Sequence, residues 1–162
     1  MEKPLLEEKH KLVEKLGVVI EKNNQLAPVA ARIISFVVLT GRSGVTFDDL
    51  VTNLCASKST ISTHLNHLLD LKQLEYFTKQ GDRKKYFIIS KCHILTHMDD
   101  MIDSWTSEKE LHLEMKSYKE KMNEFNVDET QLFSLDFHNN YITFLEEATK
   151  SIIKLKEKIV HK

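Results

Sequence analysis

The sequence predicts a mainly α-helical fold with one small β-hairpin, on three observations. Glycine occurs only four times and proline twice in 162 residues, so little interrupts helix formation. Apolar residues recur at three- and four-residue spacing over most of the chain, the period of an amphipathic helix. One stretch departs from that period: the aromatic and β-branched runs 76–78 (Tyr-Phe-Thr) and 86–89 (Tyr-Phe-Ile-Ile) flank a glycine-bearing segment, as strands flank a turn. The length suits a single core with helical extensions.

The first helix is expected over residues 4–22, where Leu5, Leu12, Val13, Leu16, Val19 and Ile20 form a stripe among Glu and Lys before Asn23 and Asn24 end it. Pro28 suits the first turn of a second helix, and Val29, Ile33, Ile34, Phe36, Val37 and Leu39 make that helix apolar nearly all round, hence buried. Residues 41–44 read as a loop. Thr46 and Asp49 have capping-box spacing, with Asp in place of the usual Glu, and open a short helix through Leu50 and Leu54. Cys55 and Ala56 make the turn after it. Ser57 caps the next helix, with Ile61, Leu65, Leu68, Leu69 and Leu71 inward and Lys58, Ser59, Ser62, Thr63 and Asn66 outward.

The hairpin follows, with Gly81 for its tight turn and Arg83, Lys84 and Lys85 at its tip. After Ser90 the helical period returns in Ile94, Met98, Met101 and Trp105. It resumes after a skip in Leu111, Met115, Tyr118, Met122 and Phe125, which predicts one long helix with a stutter. Asn126 interrupts it and Asp128 caps a last long helix, striped by Phe137, Tyr141, Phe144, Ala148, Ile152, Leu155 and Ile159. The chain thus divides into a first helix (1–25), a central module (26–92) and a helical C-terminal region (93–162).

Charge is segregated along the chain although the net formal charge is only -1. Residues 57–91 carry seven Lys and Arg against three Asp and Glu, whereas residues 99–129 carry ten acids against four lysines. The basic stretch coincides with the polar-faced helix and the hairpin, which is where a polyanion would be met.

The order helix, short helix, turn, polar-faced helix, basic hairpin is that of a winged helix-turn-helix. A helix fits the major groove of B-DNA, and short hydroxyl and amide side chains near its start reach base edges and phosphates. Amide groups at that helix start favour phosphate. A basic hairpin then places cations on the flanking backbone or in a narrow minor groove. The residues expected to meet DNA are Ser57, Lys58, Ser59, Thr60, Ser62, Thr63, His64, Asn66 and His67 on the helix and Arg83, Lys84 and Lys85 on the wing, with Arg83 foremost in the minor groove.

The run Ser57 to Leu68 (SKSTISTHLNHL) resembles the recognition-helix signature of MarR-type and ArsR-type repressors, and Gly81 to Lys84 (GDRK) resembles the wing tip of the GbsR-like branch of the MarR superfamily. The likeness covers residues 26–92; the flanking helices match in length and pattern. It implies that Asp82 and Arg83 cooperate, the Arg entering the minor groove, and that the first helix and the two C-terminal helices mediate dimerisation. The chain departs from the metal-sensing ArsR pattern: one cysteine, Cys55, stands near the place of that family's pair, so the metal site is not carried over. No quaternary-ammonium site is readable, and the betaine ligand of GbsR is not carried over either.

Plainer readings compete with these. His93 and His97 have the spacing of two ligands on one helical face, yet no further ligand joins them, and a solvated or capping pair is the better account. His64 and His67 either contact DNA or cap the buried face. Lys84 and Lys85 serve equally to keep an edge strand from aggregating. Cys55 reads as a small core residue rather than a redox sensor, because no resolving partner is visible. Trp105, Met115, Tyr118, Phe133, Phe137, Tyr141 and Phe144 could line a pocket for a small-molecule effector, but their spacing favours core and dimer interface.

No glycine-rich phosphate loop, GxSxG or HExxH is present, so no catalysis, cofactor or metal is expected. The two cysteines form no framework, residues 29–39 are too short and too interrupted to span a bilayer, and acids follow the N-terminus at once; a cytoplasmic chain is expected. The expectation is a homodimeric, double-stranded-DNA-binding repressor. The rival, a winged-helix protein-interaction module without DNA binding, and a third reading, a helical small-molecule binder, differ from it in how they respond to duplex DNA and salt.

Overall fold

The computed structural model describes residues 3–125, 130 and 132–161. Its helices are α1 (Lys3–Asn24), α2 (Pro28–Thr40), α3 (Phe47–Asn53), α4 (Lys58–Asp70), α5 (Lys91–Phe125) and α6 (Asp136–Val160), with a short 3-10 turn at Gly41–Ser43 and strands β1 (Leu74–Thr78) and β2 (Lys85–Ile89). The chain divides into two compact units, Met1–His93 and Ile94–Lys162.

The first unit is built around α2. Ala30, Ile33, Phe36 and Val37 meet Val13 of α1, Leu50 of α3, Ile61, Leu65 and Leu68 of α4, Leu74 of β1 and Phe87 of β2 in one core. As expected, α2 is buried along most of its length, although Val38 and Leu39 at its end are exposed. On α1, Val13 is buried and Gly17 lets the stem of Arg32 approach to 3.3 Å of where a β-carbon would stand. Arg32 then pairs with Glu21 at 2.7 Å and Glu14 at 3.1 Å, tying α1 to α2. Leu5, Leu12 and Val19 of α1, seven residues apart, remain exposed.

The wing is an antiparallel pair in which Leu74 faces Ile89 and Thr78 faces Lys85. Beyond expectation, Val45 joins the other edge of β2: its N–H donates to the Phe87 carbonyl at 3.0 Å and its carbonyl accepts from the Phe87 N–H at 2.8 Å. Gly44 precedes it at φ 73°, and a β-carbon there would stand 2.8 Å from the Cβ of Tyr86. The close approach and the left-handed backbone both require glycine.

The second unit is an antiparallel helical hairpin. Asn123 bonds both the N–H (2.8 Å) and the carbonyl (3.0 Å) of Phe133, Lys109 meets Glu146 at 3.7 Å, and Lys156 pairs with Asp99. α5 is one unbroken helix across the predicted stutter. Two expectations are corrected. α6 begins at Asp136 rather than near residue 128, with residues 132–135 outside the helix; Asn126 and Asp128, assigned to end one helix and cap the next, lie outside the described residues. The inward face of α6 is centred on His138 and Leu145, 4% and 1% exposed, while Phe137 and Phe144 are 65% and 55% exposed. One residue is a 100° rotation, and the polar His138 takes the interior because α5 supplies it with partners.

Candidate nucleic-acid interface

The cap of α4 fixes its start. The Ser57 hydroxyl accepts the Thr60 N–H at 3.1 Å and lies 2.9 Å and 2.7 Å from the hydroxyls of Ser59 and Thr60. Ser57 and Thr60 are therefore engaged in capping. The expected inward residues Ile61, Leu65 and Leu68 are buried, with Leu69 half-buried beside them; Leu71 is exposed, because α4 ends at Asp70 and the chain turns through Lys72 at φ 55°.

With that stripe inward, Lys58, Ser59, Ser62, Thr63, Asn66 and His67 are exposed and His64 is half-buried on the flank. The Thr63 hydroxyl donates to the Ser59 carbonyl at 3.0 Å, which leaves its lone pairs outward. In front of α4, the predicted capping box of α3 is formed: Thr46 accepts the Asp49 N–H at 3.2 Å and its own N–H reaches the Asp49 carboxylate at 3.0 Å. The Thr46 hydroxyl bond holds the Asp49 carboxyl below its ordinary range.

The wing tip is organised by Asp82. Its N–H donates to the Lys79 carbonyl at 3.0 Å across Gly81, which adopts φ 81°. One carboxylate oxygen accepts the Lys84 N–H at 2.9 Å and the other the Tyr86 hydroxyl at 2.6 Å. The Tyr86 bond, with help from the Lys84 N–H, lowers the Asp82 carboxyl and raises the Tyr86 phenol. Tyr86 stacks on Phe77 with centroids 5.6 Å apart, and the ammonium groups of Lys79 and Lys85 sit over the rings of Tyr86 and Tyr76 at 3.7 Å and 4.0 Å.

Arg83 and Lys84 are exposed at the tip, as expected. Lys85 is corrected from the tip to the first residue of β2, because the ladder extends one pair further than the apolar run and reaches Thr78.

α3, α4 and the wing enclose a cleft of about 290 Å³ with Phe87 and Leu65 among its walls. It gathers Ser62 and Asn66 of α4 with Lys84 and Lys85 of the wing; Lys58, Ser59, Thr63, His64, His67 and Arg83 do not line it. Sequence reasoning missed Asp48, which lines the same cleft and stands 4.0 Å from Lys84, and Tyr86, which fixes the wing tip. An acid two residues after the Thr46 cap, and a tyrosine four residues after Asp82, were the available signals.

Cys55 is corrected from the core to the surface: it occupies the turn between α3 and α4 at φ 50°, where the backbone carries its side chain outward. His97 is exposed, and among the described residues no three His, Cys, Asp or Glu side chains gather to hold a metal ion. No helix is long and apolar enough to cross a membrane among the described residues.

No protein-family profile and no curated sequence matches the chain. Solved structures do. A crystal structure described as a transcriptional regulator is similar over 96% of this chain and 99% of its own, at 16% identity and a TM-score of 0.51. A mutant of MepR from S. aureus is similar over 74% of this chain and 91% of its own, at 18% identity and a TM-score of 0.42. The first likeness, together with the element order and the hairpin, shows that the chain has the winged helix-turn-helix fold.

Proposed function

We propose that the chain is a sequence-specific, double-stranded-DNA-binding transcription regulator of the MarR type, GbsR-like at its wing, that acts as a homodimeric repressor. The observation that carries this is the cleft in which exposed Ser62 and Asn66 of α4 stand beside Lys84 and Lys85 of the wing. In the proposed complex α4 enters the major groove. Ser59, Ser62, Thr63 and Asn66 meet base edges there, and Lys58, His64 and His67 lie within reach of the phosphates. Ser57 and Thr60 orient the helix start. Arg83 enters the adjacent minor groove while Lys84 and Lys85 bind backbone. No reaction is proposed. The described relative that covers nearly its whole length is itself a transcriptional regulator, which agrees with this reading.

The dimer rests on surplus apolar surface. Leu5, Leu12 and Val19 of α1 and Leu111, Leu113, Tyr118, Phe137, Phe144 and Leu155 of the C-terminal hairpin are all at least 43% exposed. Apolar stripes of that length are ordinarily covered. A two-fold partner covers them and sets two recognition helices about 34 Å apart, one turn of B-DNA. Sequencing the genomic fragments retained by the purified protein tests the proposal. Recovery of one palindromic site supports it; a random set, with a monomer by light scattering at micromolar concentration, overturns it.

A further inference from the structure

Among the described residues of the helical hairpin His138 is the most buried polar one, 4% exposed, and both of its ring nitrogens are engaged. Its Nε2 lies 2.9 Å from the Lys119 ammonium and its Nδ1 lies 3.0 Å from Nδ1 of His112. An ammonium has hydrogens and no lone pair, so Nε2 must accept. On a neutral His138 the ring proton therefore sits on Nδ1 and faces Nδ1 of His112. One neutral tautomer of His138 thus serves both neighbours.

A second proton on His138 has only Nε2 to occupy, and there it points at the Lys119 ammonium. Among the described residues, the titratable and charged groups facing His138 are His112 and Lys119, both from α5. Glu108 of α5 is turned to Tyr141, whose hydroxyl it accepts at 2.9 Å, and the phenol of Tyr141 is raised by that bond. Lys119 is further held by the ring of Phe133, 5.7 Å away. A buried imidazole flanked by an ammonium and a second imidazole is built to stay neutral.

We propose that the His112, His138 and Lys119 relay is a proton-sensitive latch of the C-terminal hairpin, holding α6 against α5 while His138 is neutral and releasing it when the ring is protonated. Burial first, then Lys119 and His112, lowers the basicity of His138 from its ordinary value of 6.5. A base lowered on folding contributes stability above that ordinary value, and the contribution is lost as pH falls beneath it. The latch stands independently of DNA binding, since every group in it belongs to the second unit.

The test is the melting temperature of the full chain at about pH 8 and about pH 5.5, for the wild type and for His138→Gln. The glutamine carbonyl accepts from Lys119, its amide donates to His112, and neither titrates. The wild type should lose on the order of 3 °C more than the variant over that interval; parallel losses overturn the proposal. Nuclear magnetic resonance titration of the wild-type imidazoles decides the matter if the variant does not fold. His138 should take its proton below 6.5 and do so more readily in Lys119→Met. Titration at or above 6.5, or no response to the lysine variant, overturns it.

Discussion

The Tyr86 hydroxyl donates a 2.6 Å hydrogen bond to the Asp82 carboxylate, whose other oxygen accepts the backbone N–H of Lys84. A residue in the ladder thereby sets the conformation of the tip that presents Arg83. The resemblance to MarR-type wings implies a partnership of Asp82 with Arg83; here both oxygens of Asp82 serve the turn and leave Arg83 exposed.

Tyr86→Phe should keep the fold, because the stacking on Phe77 does not need the hydroxyl. The turn loses its brace, and DNA affinity should fall by about two- to tenfold. Asp82 is depressed on folding, so its support is present above the ordinary carboxylate value of 3.8 and lost only as pH falls beneath it. Binding measured across neutral pH should accordingly show no step that Tyr86→Phe removes; such a step, or unchanged affinity in Tyr86→Phe, counts against the brace.

Arg83→Ala should weaken binding by about 1–3 kcal/mol and relax selectivity at the flank of the site. Lys84→Ala should weaken binding to all sequences alike and reduce the salt slope by about one. Fluorescence anisotropy with specific and scrambled duplexes separates the two, and identical behaviour of both variants would refute the assignment of a groove to one and phosphate to the other.

Asp48 places a carboxylate beside Lys84, which is proposed to bind the phosphate backbone. Asp48→Asn should therefore tighten binding, by less than about tenfold because the residue is well exposed. Weaker binding would show that Asp48 positions Lys84 instead.

Leu65→Ala should cost about 2–5 kcal/mol of stability, since Leu65 is 3% exposed in the core between α2 and the wing. Gly44→Ala should cost about 1–3 kcal/mol through its backbone and the Tyr86 clash. Ser62→Ala should leave urea denaturation almost unchanged and alter DNA selectivity. Destabilisation by Ser62→Ala with none by Leu65→Ala would mean that the faces of α4 are reversed.

These contrasts follow from what was legible in the sequence. The faces of α4 were readable because Ile61, Leu65 and Leu68 hold helical spacing behind a serine that can cap, and the hairpin because Gly81 separates two β-prone runs. Val45 was hidden because a one-residue bridge has no period. The α6 face was misplaced because hydropathy ranks Phe137 above His138, whereas the structure gives the histidine two hydrogen-bonding neighbours and leaves the phenyl ring at the surface. Tyr86 and Asp48 were missed because their roles depend on partners brought together by the turn and by the packing of α3 on α4.

The most direct measurement of the central claim is the affinity of the intact chain for duplex DNA at a series of salt concentrations. If α4 and the wing grip the phosphate backbone, the logarithm of the affinity falls linearly with the logarithm of salt, with a slope near -0.9 for each phosphate neutralised, and Arg83→Ala and Lys84→Ala lie below the wild type. No binding to duplex DNA at low salt, or an affinity that salt leaves unchanged, would contradict the account and turn it toward the protein-interaction reading of the same fold.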